Sequence, residues 1–222
     1  MEIIIENIKK KYGKKVVLDG VTFSARGGEC IGIVGANGCG KSTLLSILAG
    51  VQRADDGSFI CDGADLFHAK EKRRELVGYV PQGTPLLYEL TALDNLKLWY
   101  DKKALSDSLE DGMLKKLGID EFLKIPVCKM SGGMKKRLSI GCGVASSPEI
   151  LILDEPTAAL DLICKAQISE FIAEHKNSGG IVLLTTHDES ELKLCDKIYV
   201  IKDGKAMECV YSGSSVALAE RF

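Results

Sequence analysis

Residues Gly35 to Ser42 read GANGCGKS, which satisfies the spacing G-x-x-x-x-G-K-[ST] of a phosphate-binding loop. Gly35, Gly38 and Gly40 let the backbone curl, so that the N–H groups of the loop, with Ala36, Asn37 and Cys39 between the glycines, turn toward phosphate oxygens. A helix starting just beyond adds the positive end of its dipole. Lys41 is placed to reach the β- and γ-phosphates as a point charge, Ser42 to put its hydroxyl on Mg2+, and Thr43 to donate to the α-phosphate. The pattern implies ATP with Mg2+ as the ligand.

A second constellation follows the run Ile150–Glu155, ILILDE, in which an apolar strand ends in two acids. Taken alone, such a pair reads as a solvated loop. Beside a phosphate loop it reads as a metal and water site at the carboxyl edge of a sheet, where α/β ligand sites form. Asp154 then holds Mg2+, usually through water, and Glu155 polarises a water for attack on the terminal phosphate.

The elements needed to position these groups are legible. CIGIV before the loop is a buried strand, and STLLSILAG after it is an amphipathic helix over Lys41–Ala49, closed by Gly50. Further short apolar runs at Glu2–Ile8, Gly78–Val80, Ile150–Leu153, Ile181–Thr185 and Lys197–Ile201 predict strands, several buried on both faces. Helical patterns cover Leu162–His175 and Glu189–Leu194. Alternating strand and helix is the α/β arrangement, here with a mixed or parallel sheet. The first thirty residues and the Asp62-Gly63 turn predict an antiparallel β flank.

From about Gly83 to Ser147 the strand signal disappears. Thr91 and Asp94 predict a capping box for a helix through Tyr100, a second helix fits Ser106–Leu117 before Gly118, and Ser131 caps a third over Gly132–Ala145. A helical insert over approximately 83–147 is expected within one domain spanning 1–222.

Composition narrows the function classes. The 222 residues are 45% hydrophobic with a formal net charge of −2, enough for a core and without the basic excess of a dedicated nucleic-acid binder. The 8 cysteines are scattered, with neither a C-x-x-C pair nor zinc spacing, and read as reduced thiols of a cytosolic protein. No apolar run approaches the ~20 residues of a membrane-spanning helix, and MEIIIENIKK lacks the pattern of a signal peptide. The basic groups around Lys9–Lys15 and Lys70–Arg74 admit nucleic-acid binding or a solvated face; without a recognised module, no nucleic-acid partner is expected.

Beyond the two constellations, the chain resembles the ATP-binding subunits of ABC transporters over nearly its whole length. YVPQ ends in Gln82, which resembles the glutamine that senses Mg2+ and links the ATP site to the helical insert. MSGGM at Met130–Met134 resembles the family signature, PTAALD resembles the D-loop with Asp161 at its aspartate, and LLTTH ends in His187 at the position of the switch histidine contacting the γ-phosphate. Tyr12 sits where the family places an aromatic that stacks on adenine. Met130 and Met134 depart from the common leucine and glutamine, while Ser131, Gly132 and Gly133 remain.

The resemblance implies a P-loop core and a head-to-tail dimer, homo- or heteromeric, in which Ser131 and Gly133 of one subunit close over the γ-phosphate held by the other. It also implies separate membrane-spanning subunits and a place at the inner face of the membrane. The MSGGMKKRL form resembles export systems for drugs, peptides, lipids or polysaccharides. A soluble cluster-assembly ATPase and a non-catalytic regulatory module are the rival classes; the intact Glu155 and His187 argue against the second. Cys39 inside the loop is expected to make the ATPase sensitive to thiol reagents, because a helix N-terminus favours thiolate.

Overall fold

The computed structural model describes residues 1–211 and Gly213. Strands β1 (Glu2–Tyr12) and β2 (Lys15–Arg26) form an antiparallel hairpin, joined on its open side by β4 (Asp56–Cys61) and β5 (Ala64–Asp65) in the order β2-β1-β4-β5. In β1 the alternation places Ile3 and Ile5 in the core; a register shift between Ile5 and Ile8, with Asn7 at φ 53°, then brings Ile8 rather than Asn7 inward. The expected antiparallel flank is thus a sheet of its own, touching the other sheet where Asp19 N–H donates to Gly204 O at 2.7 Å.

The second sheet combines β3 (Cys30–Val34), β6 (Val77–Val80), β7 (Ile150–Asp154), β8 (Ile181–Thr185), β9 (Lys197–Lys202) and β10 (Lys205–Cys209) in the order β10-β9-β3-β8-β7-β6. All neighbours are parallel except β10 and β9, so the sheet is mixed. In the fully buried β7, Ile150 and Ile152 face the antiparallel sheet and helix α1 (Lys41–Leu48), whereas Leu151 and Leu153 face the helical insert and α7 (Leu162–Asn177). Strict two-residue periodicity thereby welds two cores to one sheet.

Between β6 and β7 the described chain is helical: α3 (Ala92–Leu96), α4 (Lys102–Glu110), α5 (Met113–Lys116), short 3-10 turns, and α6 (Gly132–Gly143). Thr91 caps α3 by accepting from Asp94 N–H, as its spacing predicts; the regular helix ends at Leu96, and turns continue to Tyr100, whose N–H donates to Leu96 O at 3.0 Å and whose hydroxyl donates to Gly141 O at 2.8 Å. The helix expected over Ser106–Leu117 is two. Asp101 caps an earlier start, and the chain breaks at Gly112, where Ser108 Oγ accepts from Leu114 N–H at 3.2 Å. Helix α2 (Lys70–Leu76), carrying Lys70, Lys72, Arg73 and Arg74, has no fully buried residue; it and β10 have no counterpart among the sequence expectations.

Candidate functional site

Gln82 follows β6, the phosphate loop follows β3, Asp154 ends β7 with Glu155 next, and His187 follows β8. Because these strands are parallel, all their carboxyl ends lie on one sheet edge, and residues distant in sequence converge. A cleft of about 650 Å3 opens there, lined by Tyr12, Asn37, Gly38, Gly40, Lys41, Ser42, Thr43, Gln82, Glu155 and His187, together with Lys15 and Val17. The last two escaped sequence reasoning, since a basic-apolar alternation in an antiparallel strand carries no motif.

The loop is shaped by its own chain. Gly40 sits at φ 113°, and a Cβ there would meet Leu18 and Val17 of β2 at 2.9 Å, so glycine is required by both conformation and packing. Lys41 is 6% exposed and its Nζ donates to the carbonyls of Gly35 at 2.7 Å and Ala36 at 3.2 Å. The ammonium is therefore held inside the curl, while Ser42 is exposed at the mouth of α1. Cys39 does not line the cleft: its Sγ lies 2.8 Å from where a Cβ on Gly35 would stand, and it faces a neighbouring cavity with Ala36 and Ile201.

Across the cleft, Gln82 Nε2 donates to Glu155 Oε2 at 2.7 Å. Glu155 adopts φ 46°, a left-handed backbone uncommon for a residue with a side chain; such residues cost about 1–3 kcal/mol and cluster at functional sites. Its N–H donates to Thr185 Oγ1 at 2.9 Å, and that hydroxyl donates to Asp154 Oδ1 at 2.6 Å. Asp154 is 3% exposed and sits behind the cleft wall rather than in it. Thr185 is the residue that ties the two acids together, and its place in an apolar strand reads simply as a strand former.

His187 begins a second, smaller cavity of about 200 Å3 with Glu155, Lys165, Thr186, Asp188 and Glu191. Asp188 caps α8 (Glu189–Leu192) and accepts from Lys165 at 2.5 Å, which with the Ser190 hydroxyl and N–H holds its carboxyl down to about 2. Burial pushes the Glu191 carboxyl up; its Oε2 accepts from the Thr186 hydroxyl.

Tyr12 is 47% exposed, donates its hydroxyl to Gln52, and presents its ring at the cleft rim. Ser131, Gly132, Gly133 and Asp161 do not line the cleft. They form a cluster of their own. Ser131 Oγ caps α6 by accepting from Met134 N–H at 3.2 Å, Asp161 caps α7 by accepting from Cys164 N–H at 2.9 Å, and a Cβ on Gly133 would meet Cys164 Sγ at 2.4 Å. Gly133 is thus needed for α6 to lie against α7, while Ser131 and Gly132 are exposed. Beside the D-loop, Leu162 and Ile163 are 84% and 74% exposed. All eight cysteines are free thiols.

Residues 18–158 match the ABC transporter family, well over half of the chain. The chain belongs to the ABC transporter family. It is 35% identical over 221 residues to a linearmycin resistance ATP-binding protein of Bacillus subtilis, covering 97% of this chain and 70% of that one. It is 37% identical over 214 residues to a lantibiotic transport ATP-binding protein of Streptococcus pyogenes, covering 95% and 91%. Among solved structures it superposes on an ATP-binding subunit of an ABC transporter with TM-score 0.83 at 26% identity, covering 95% and 90% of the two chains. A dimeric ATP-binding cassette in a post-hydrolysis state with ADP and Pi gives TM-score 0.80 at 26% identity, covering 93% and 97%. The chain is an ATP-binding ABC ATPase cassette of the P-loop fold. Among the described residues no helix is long and apolar enough to cross a membrane.

Proposed function

We propose that this cassette energises an exporter by closing on a second cassette around ATP and Mg2+, and that the residues named above divide the chemistry between two subunits. The observation that carries this reading is the convergence of the phosphate loop, Gln82, Glu155 and His187 in one cleft, with the Ser131–Gly133 helix end outside it. A helix N-terminus with an exposed serine and bare glycine backbone is an anion site without an anion of its own. A second copy, facing head to tail, supplies one.

In the closed pair the loop N–H groups and Lys41 bind the phosphates, Tyr12 stacks on adenine, and His187 contacts the γ-phosphate. Glu155, steered by Gln82, orients the attacking water and accepts its proton. The partner's Ser131 and Gly133 then stabilise the charge spreading on the transferred group; donors so placed contribute on the order of 10²–10³ in rate. Asp161 sets the adjoining D-loop against that interface. The donors fit Mg2+: the Ser42 hydroxyl and the Gln82 amide oxygen line the cleft as hard ligands, and the Asp154 carboxylate behind the wall would act through water. Among the described residues no cluster of three His, Cys, Asp or Glu exists to cage a metal, as suits an ion that keeps water and phosphate ligands. Mg2+ would supply neutralisation of phosphate charge.

The whole chain serves as one cassette, with residues 83–147 as a helical subdomain; residues 212 and 214–222 of that span lie outside the described residues. Leu87, Tyr88, Leu90, Leu98 and Trp99 are each at least 36% exposed on this subdomain, an apolar surface suited to separate membrane-spanning subunits. The protein would then sit at the inner face of the membrane. The relatives' printed roles in lantibiotic transport and linearmycin resistance support export of a drug, peptide, lipid or polysaccharide over a soluble cluster-assembly role. Co-expression with a membrane protein encoded beside it tests this: sedimentation with membranes, lost in L98D/W99D, supports transport, and an ATPase indifferent to any membrane partner contradicts it.

A further inference from the structure

Lys136 is 5% exposed, one turn inside the Ser131–Gly133 end of α6. Its ammonium meets no carboxylate directly. Nζ donates to Pro81 O at 3.0 Å and lies 3.5 Å from Gln82 O and 3.4 Å from Asp154 O. Burial pushes the ammonium down to about 8, with the charges of Asp154, Glu191 and Glu155 pulling the other way. Burying a cation is costly unless its protons are satisfied, so a lysine kept here must hold something in place.

What it holds is specific. Pro81 and Gln82 are the exit of β6 into the loop whose side chain reaches Glu155, and Asp154 is the end of the strand that Glu155 follows. The third segment is α6 itself, whose exposed end does not line this cleft. One ammonium therefore bridges the signature helix to both walls of the reacting site. Helix α6 is buried continuously from Lys136 to Gly141, so Lys136 is enclosed by the fold and not lying along its surface.

We propose that Lys136 is a positioning residue that locks the Ser131–Gly133 helix end to the Gln82 loop and the Asp154–Glu155 strand end, so that engagement of the partner's nucleotide and placement of Glu155 occur together. It rests on the roles assigned above to Gln82 and to the signature helix. Lys136 does not line the nucleotide cleft, so ATP affinity and catalytic coupling separate on mutation. A methionine fills the same volume but donates nothing, whereas an arginine keeps the charge and the donors.

The test uses the full chain as wild type, K136M, K136R and Q82A, with thermal unfolding checked first. K136M is expected to bind ATP within about threefold of wild type, to lose about tenfold or more in kcat, and to lose ATP-dependent dimers in an E155Q background; K136R recovers most of both. Should K136M not fold, K136A, which also donates nothing, is held to the same criteria. A kcat for K136M within about twofold of wild type, or K136M and K136R impaired alike, overturns the inference. An impaired Q82A beside a normal K136M overturns it alone, while a normal Q82A overturns it together with the role of Gln82.

Discussion

Gln82 and Glu155, 73 residues apart in sequence, meet across the cleft with Gln82 Nε2 2.7 Å from Glu155 Oε2. The bond is exposed, so its worth to folding is about 0.5–1.5 kcal/mol at most. Its consequence is catalytic: a carboxylate in a left-handed backbone turn has its free oxygen aimed by the amide. Q82A should therefore lower kcat by about tenfold with KM for ATP within about threefold and the melting temperature nearly unchanged, read from steady-state kinetics and a thermal melt. A rise in KM alone would make Gln82 a binding residue instead.

Thr185 carries a prediction that no motif suggested. Its hydroxyl serves Asp154 and the Glu155 N–H at once. T185V keeps the shape but leaves the buried Asp154 carboxylate short of a donor, while the Glu155 N–H keeps only its 3.2 Å bond to Thr185 O, at about 1–3 kcal/mol. Urea denaturation should show that loss, and the Mg2+ concentration for half-maximal ATPase should rise. T185S should restore both; unchanged Mg2+ dependence in T185V would separate Thr185 from the metal.

The placement of Cys39 alters how thiol reagents act. Its Sγ packs behind Gly35 and not in the cleft. An adduct must displace the loop, so bulky maleimides are expected to inhibit more than small methylating reagents, with C39A protected from both. Equal inhibition of C39A assigns the effect to another thiol, with Cys128, the exposed one, the first to examine.

Asp188 gives the expected acid sensitivity. Lys165 and the Ser190 hydroxyl and N–H hold its folded value at about 2, below the ordinary 3.8. A depressed carboxyl contributes stability that is complete above the unfolded value and fades as pH falls through the folded one, so the window lies between about pH 4 and pH 2. With the pair roughly a quarter exposed, about 1–2 kcal/mol is expected after allowance for screening. D188N, which can still cap α8, should unfold in urea with a flatter pH dependence in that window; parallel curves would remove Asp188 from the account.

Motifs and strand ends were legible because they depend on local spacing: a glycine loop between a buried strand and a helix has few readings, and Cys30–Val34 and Ile181–Thr185 are found as expected. The site itself depended on topology. Parallel order brings Gln82, Glu155 and His187 to one edge; sequence alone reached Glu155 through its strand end beside the phosphate loop, and Gln82 and His187 only through family resemblance. Long-range pairings escaped. The Tyr100 hydroxyl reaches Gly141 O, and Asn7 adopts the bulge that turns Ile8 inward. Lys136 was hidden in the basic run Lys135–Arg137 of the MSGGMKKRL form. Its place three residues after Gly133 and four before Ile140 was the available signal, and in the structure Lys136 and Arg137 are 5% and 9% exposed.

The central claim is that the phosphate loop is half of a site completed by Ser131 and Gly133 of a second subunit. Size-exclusion chromatography of E155Q with ATP and Mg2+ tests it most directly, since glutamine preserves the shape of the cleft but cannot accept the proton of water. ATP should convert E155Q from monomer to dimer with turnover reduced by about 10²-fold or more, and S131R should abolish the dimer while leaving ATP bound. E155Q that binds ATP and elutes only as monomer would contradict the account.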